Sequence, residues 1–176
     1  MKANVNRENS SKKFKVTPEM LQNGELLSAL ILRFLNNRNK ENMFTVLSCL
    51  RDSNVWLPAT VTADGENLKV GEASENPIMF PAKQKIVIKP QVYKAKDEKL
   101  YVPIYSRREN VKSENLKGAS LVNIPFEKCI EVLGGIEGCE RFVLDPHIYN
   151  VVLDEDLVRI AQKLPSRLST QTNEKK

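Results

Sequence analysis

Residues 139–161 read CERFVLDPHIYNVVLDEDLVRIA, and this stretch decides the fold class. Phe142, Val143 and Leu144 form the short apolar run of a buried strand. Asp145-Pro146 ends that run, because proline has no donor for a sheet ladder and restricts the residue before it. Val151, Val152 and Leu153 resume the β-rich pattern, and Asp154-Glu155-Asp156 places acids where a final helix begins. Strand, proline turn, strand and acid-capped helix describe a structural corner, with no complete catalytic motif inside it.

Working outward from this corner, Ala119 to Ile124 reads as a strand and Phe126 to Leu133 as a helix ending at Gly134-Gly135. A strand–helix–strand of this length predicts a parallel pair over 119–144 with a right-handed crossover. The glycine-rich loop Gly134 to Gly138 follows a helix and precedes a strand. A phosphate-binding loop runs in the opposite order, so this one reads as a helix end and turn. Further upstream, Ile86 to Ala95 and Leu100 to Ser106 flank Lys96-Asp97-Glu98-Lys99 and predict an antiparallel β-hairpin. Ile86, Ile88 and Val92 then share one face, onto which Leu100, Val102 and Ile104 pair.

At the other end, Thr17-Pro18-Glu19 marks a helix start, and Leu26, Leu27, Leu30, Ile31, Phe34 and Leu35 recur at helical spacing. Met43, Phe44, Val46, Leu47 and Leu50 form a second stripe that contains Cys49. Val55 to Val61 is a strand whose Pro58 suggests an edge position. A turn at Asp64-Gly65, a short strand over Asn67 to Gly71 and a loop over Glu72 to Pro81 complete the reading. The expected fold is a single α+β domain over 17–164, with packed helices around a mixed sheet of roughly five to seven strands. Polar tails over 1–16 and 165–176 are expected to be disordered.

The chain has 176 residues, 41% hydrophobic and 28% charged, the balance of an ordinary soluble domain. The apolar run Leu26 to Leu35 contains Arg33 and is about half the length of a bilayer span, so no membrane association is expected. No apolar core with a cleavage site follows the N-terminus, and three scattered cysteines without a CxxC fit reduced thiols. A cytoplasmic protein is therefore expected. The net charge of +5 sits in the tails: residues 1–15 carry five Lys/Arg against Glu8, and 163–176 carry four against Glu174. A folded nucleic-acid surface would concentrate its basic residues in the domain itself, so that partner class is not expected.

Two segments carry a resemblance. LYVPIYSRREN (100–110) resembles the "dG-x-x-x-lPvFTs-x-e-e-l" element of the SseB family, named for enhanced serine sensitivity. LVNIPFEKCIEVLGGIEGCERFVLDPHIYNVVLDEDLVRIA (121–161) is similar to the family's helix, "g-i-v-l-N-P-f" strand-turn and final helix. The two-helix opening followed by VWLPATV (55–61) fits as well, so the likeness covers residues 20 to 162. Asp145 stands where that family usually has Asn, His147 where an aromatic or aliphatic residue is common, and Tyr105-Ser106 where Phe-Thr is frequent. The resemblance implies a small cytoplasmic bacterial α+β domain, regulatory or protein-binding, with no established catalytic residues and no cofactor.

Candidate chemistry is sparse. His147, two residues after Asp145, could serve as a base toward a Cys139 thiol, which would make a small thiol-dependent enzyme. The plainer reading is a histidine in a surface turn. Cys129, Cys139, Asp145 and His147 lack the close pairs that announce zinc, and Cys129 falls on the apolar side of its helix, so no metal is expected. Between Lys83 and Arg108 there are eight Lys/Arg and two acids, whereas Glu109 to Ala161 has five and ten. If Val102 and Ile104 face the core, Lys89, Tyr93, Tyr101 and Tyr105 share the opposite face beside Arg107 and Arg108. Tyr and Arg are enriched at binding hot spots, so these six residues form the expected partner site, for an acidic protein or for the acidic half of a second copy. The alternatives are a face covered by helices, or weak nucleic-acid binding through hairpin and tails.

Overall fold

The computed structural model describes residues 17–63, 66–68, 85–139 and 141–168. The basic N-terminal tail, the turn at Asp64-Gly65 and the loop over 72–81 lie outside the described residues. Thr17 caps α1 (Pro18–Gln22), its hydroxyl accepting from the Met20 amide at 3.4 Å. The expected first helix is broken at Gly24, whose φ of +74° suits glycine, and restarts as α2 (Glu25–Asn36). A Cβ at Gly24 would lie 1.8 Å from the Ser106 carbonyl oxygen, so the break lets another segment approach the backbone. In α3 (Lys40–Arg51) Asn39 is the cap, accepting from the Asn42 amide at 2.8 Å.

In strand β1 (Asn54–Ala63), Val55, Leu57, Ala59, Val61 and Ala63 are buried at alternate positions, and Pro58 between them is buried as well. It pairs antiparallel with β2 (Glu66–Leu68), β3 (Ile86–Pro90) and β6 (Ser120–Pro125), so Pro58 lies in a central strand and not at an edge. Its neighbours explain how proline is tolerated there. Trp56 exchanges backbone hydrogen bonds with Tyr105, and the Pro58 carbonyl accepts from the Gln91 amide at 2.8 Å. The missing N–H of Pro58 thus falls where β1 changes partner.

A second, mixed sheet runs in the order β4 (Tyr93–Lys94), β5 (Leu100–Ile104), β7 (Phe142–Leu144), β8 (Val151–Leu153). The α+β class is as expected, with five α-helices among the described residues; the strand pairing differs in two places. Only Tyr93-Lys94 and Leu100-Tyr101 form the antiparallel hairpin, because at Pro90-Gln91 the chain leaves β1, to which Ile86–Pro90 is paired. Val92 is accordingly 38% exposed instead of facing the core. The 119–144 unit is not a parallel pair either. Its first strand, β6, belongs to β1, and α4 (Phe126–Leu133) is tied to that sheet by the Phe126 amide donating to the Ser53 carbonyl. The parallel partner of β7 is β5, with Val102 opposite Phe142 and Ile104 opposite Leu144. The expected single sheet is therefore two four-stranded sheets joined at the Trp56–Tyr105 bridge.

The helices and the inner sides of both sheets enclose one core, in which Leu27, Ile31, Leu47, Leu50, Leu57, Ile104, Phe126, Phe142, Leu144 and Leu153 are buried. The rings of Phe126 and Phe142 meet at 5.6 Å across the two sheets. The final helix α5 (Glu155–Lys163) starts at Asp154, whose carboxylate accepts from the Leu157 amide at 3.0 Å. Its acids sit at the N-terminal end, where the helix dipole favours them.

Candidate interaction face

Inward Val102 and Ile104 turn Tyr101 to the outer side of β5, and Tyr93 lies opposite it on β4. The two rings stack at 5.8 Å with planes 26° apart, and both are partly exposed. Tyr93 is held further: its hydroxyl proton is shared between the Asn115 carbonyl at 2.7 Å and Gln91 Oε1 at 3.0 Å. The Gln91 side-chain Nε2 donates to the Leu116 carbonyl, and Lys117 Nζ lies 5.1 Å from the centre of the Tyr93 ring. Burial and the neighbouring Tyr101 raise the Tyr93 pKa. The outer face is thus covered in part by the segment after β5, in which Ser113–Asn115 form a single 3-10 turn.

Tyr105 departs from the expected exposed face. It is only 2% exposed, because its backbone bridges to Trp56 and places it in the junction of the two sheets. Burial, then the hydroxyls of Tyr93 and Tyr101, push its pKa up to about 12, so it is a buried neutral phenol next to the stack. Arg107 is half-buried and paired with Glu109 at 3.4 Å. Arg108 is exposed and stands 6.0 Å from the centre of the Trp56 ring. Lys89 is exposed on the neighbouring sheet, opposite Thr60. Of the six expected site residues, Tyr93 and Tyr101 stack on each other, Arg108 stands by Trp56, Arg107 pairs with Glu109, Lys89 is exposed on β3, and Tyr105 is buried.

Sequence reasoning missed Trp56 and Lys117. The strand period held a signal for Trp56, since Val55 and Leu57 point inward and leave the tryptophan between them on the outer face. For Lys117 there was none, because its position depends on how the segment after β5 lies back over Tyr93. The hairpin turn is also clamped. Arg141 grips Asp97 with two bonds of 2.8 and 2.6 Å, and that bonding holds the Asp97 carboxyl at about 2.

At the far end of β5 lies a buried polar cluster. Asp145, fully buried, accepts from the Ser106 amide at 3.0 Å and from Asn110 Nδ2 at 2.8 Å, both on Oδ1. Asn110 also donates to the Ser106 hydroxyl, which meets the Ser28 hydroxyl of α2 at 2.9 Å. Among the described residues, the second carboxyl oxygen of Asp145 has no hydrogen-bond donor. Burial raises the Asp145 pKa, opposed by the bonds from Ser106 and Asn110. Its carbonyl accepts from the amides of Ile148, Tyr149 and Asn150, which closes the turn that carries His147.

The residues of the thiol reading are placed as follows. Cys139 is buried ahead of β7, and His147 is exposed in the turn beyond its other end. Cys129 sits in the core, where burial pushes its thiol up to about 12, the direction opposite to thiolate activation. Among the described residues, no group of three or more His, Cys, Asp or Glu side chains could hold a metal ion, and no helix is long and apolar enough to cross a membrane.

The two segments on which the resemblance rests, 100–110 and 121–161, are therefore locked to each other through Ser106, Asn110 and Asp145. Neither the curated proteins nor the solved structures searched contained a match to the chain. The family model described as the SseB protein N-terminal domain matches residues 27–159, from α2 through most of α5. The chain belongs to the SseB N-terminal domain family.

Proposed function

We propose that this chain is a non-catalytic, cytoplasmic protein-interaction module, regulatory through the partner it engages. The observation that carries this reading is the Tyr93–Tyr101 stack, partly exposed on the outer side of the second sheet, with Arg108 standing by Trp56 and Lys89 exposed on the adjoining sheet. Tyrosine, tryptophan and arginine are the side chains most enriched at energetic centres of protein interfaces, and here they share one surface. The rings are fixed before any partner arrives: Tyr93 by its two hydroxyl bonds, Tyr101 by stacking on it. Such preorganisation reduces the entropy lost on binding.

The test is capture of partners from extract by the full chain, by Tyr101→Ala and by Phe44→Ser, the last a change on exposed α3 surface away from the face. A stoichiometric partner should be retained by Phe44→Ser and weakened about thirtyfold by Tyr101→Ala, the effect of a hot spot of about 2 kcal/mol. A folded Tyr101→Ala protein that captures every partner as well as the unaltered chain would overturn the reading.

A further inference from the structure

We propose that residues 112–118 are a strap that stands in for the partner: it occupies the place on Tyr93 that a segment of the partner protein takes, and it lifts when that segment binds. The proposal rests on the interaction reading above and adds the regulation of that same face. Three observations support it.

The first is how the strap is attached. It hangs between two fixed points: Asn110, whose Nδ2 donates to Asp145 at 2.8 Å, and Ser120, where β6 begins its pairing with β1 at Ala59. Its backbone bonds are local, the Asn115 amide donating to the Lys112 carbonyl and the Leu116 amide to that of Ser113. Among the described residues, no backbone-to-backbone bond joins 112–118 to a strand. Side chains alone hold it to the sheet: the Tyr93 hydroxyl and Gln91 Nε2 donate to the carbonyls of Asn115 and Leu116, and Lys117 lies against the Tyr93 ring. Such contacts open without breaking a strand ladder.

The second is what those contacts imitate. Two consecutive carbonyls and a side chain laid over a ring are what a segment of another protein offers to an aromatic surface. A partner that presents carbonyls to Tyr93 and Gln91 replaces the strap bond for bond, so the exchange leaves no donor unpaired. The platform itself stays in place, because Tyr93 keeps Gln91 Oε1 as acceptor and Tyr101 as its stacked neighbour.

The third is strain at the strap's end. Lys117 and Gly118 are consecutive left-handed residues, with φ of +46° and +82°. A Cβ at Gly118 would meet nothing within 4 Å, so glycine there serves the backbone and not the packing. A lysine stays in that region only while its surroundings hold it, and here the holding contacts are those to Tyr93 and Gln91. Lifting the strap relieves it.

Gly118→Ala is the handle, because its methyl has room in the closed strap and acts only through φ. The probe is N-acetylimidazole, which acylates tyrosine hydroxyls of the full chain at positions located by peptide mass; buried Tyr105 is the reference for an intact fold. Gly118→Ala should speed acylation of Tyr93 about fivefold or more and leave Tyr105 unlabelled. Gln91→Leu, which cuts the bond to Leu116, should act in the same direction. Capture of the partner by Gly118→Ala should tighten by a similar factor, since a mostly closed strap lowers apparent affinity by the open fraction. Tyr93 acylation unchanged in both variants overturns the proposal, as does faster acylation with capture unchanged or weakened. Capture that does not depend on Tyr101 overturns the interaction reading instead, and the acylation still reads whether the strap opens.

Discussion

The segment from Ser106 to Ala119 performs opposite tasks at its two ends. At its start, Ser106 and Asn110 are drawn into the molecule by a fully buried carboxylate, and Ser106 meets Ser28 of the first long helix. At its far end, Asn115 and Lys117 rest on Tyr93 and Leu116 on Gln91, through contacts that remain partly open to solvent. Buried hydrogen bonds are costly to break, because each leaves an unsatisfied group in a poor solvent. Half-exposed bonds and cation–ring contacts exchange readily with water or with a partner. The start of the segment holds the fold, and the end is available for recognition.

Breaking the buried end should give the largest effect. Gly24→Ala forces a left-handed φ on a side chain and drives its Cβ against the Ser106 carbonyl, at 1.8 Å. Strain and overpacking together should cost about 2–4 kcal/mol, read as a lower urea midpoint at unchanged slope. Asn110→Ala removes two hydrogen bonds, to Asp145 and to the Ser106 hydroxyl, and should cost about 1–3 kcal/mol in the same experiment.

Asp145→Asn sharpens the comparison in the other direction. Burial raises the folded-state pKa of Asp145, so its ionised form weakens the fold. For a carboxyl of that kind, stability falls as pH rises from the unfolded value, about 3.9, through the folded one. Asparagine keeps an acceptor for Ser106 and Asn110 without the charge. The variant should melt higher than the unaltered chain at pH 7, and the gain should vanish by pH 3. A gain independent of pH would place its origin elsewhere. At the exposed end, Tyr101→Ala should be the mildest change, about 1 kcal/mol from the lost ring stack, despite its large expected effect on capture.

Much of this was legible in sequence, and the failures have one cause. FVLDP announced its strand and turn because an apolar run and a proline act locally. Acid capping of the last helix was equally local. The hairpin was over-extended because period-2 alternation continues through Ile86 to Val92 while the chain changes partner at Pro90. Alternation put Tyr105 on an exposed face and could not show that Trp56 lies across from it, in the junction that buries it. Asp145 read as a turn former, and its donors come from 39 and 35 residues away. Local chemistry is written in the sequence order; the pairing of distant segments, which creates both ends of 106–119, is not.

Native-state hydrogen exchange of the free chain tests the division of labour most directly, because both ends carry amides with known acceptors. Tyr105 donates to Trp56 and Ser106 to Asp145, while Asn115, Leu116 and Ala119 bond within their own turns. The amides of Tyr105 and Ser106 should exchange only through global unfolding, whereas those of Asn115, Leu116 and Ala119 should exchange through local opening, orders of magnitude faster. Equal protection along the whole segment would contradict the account, since the recognition end would then be as much a part of the fold as the buried one.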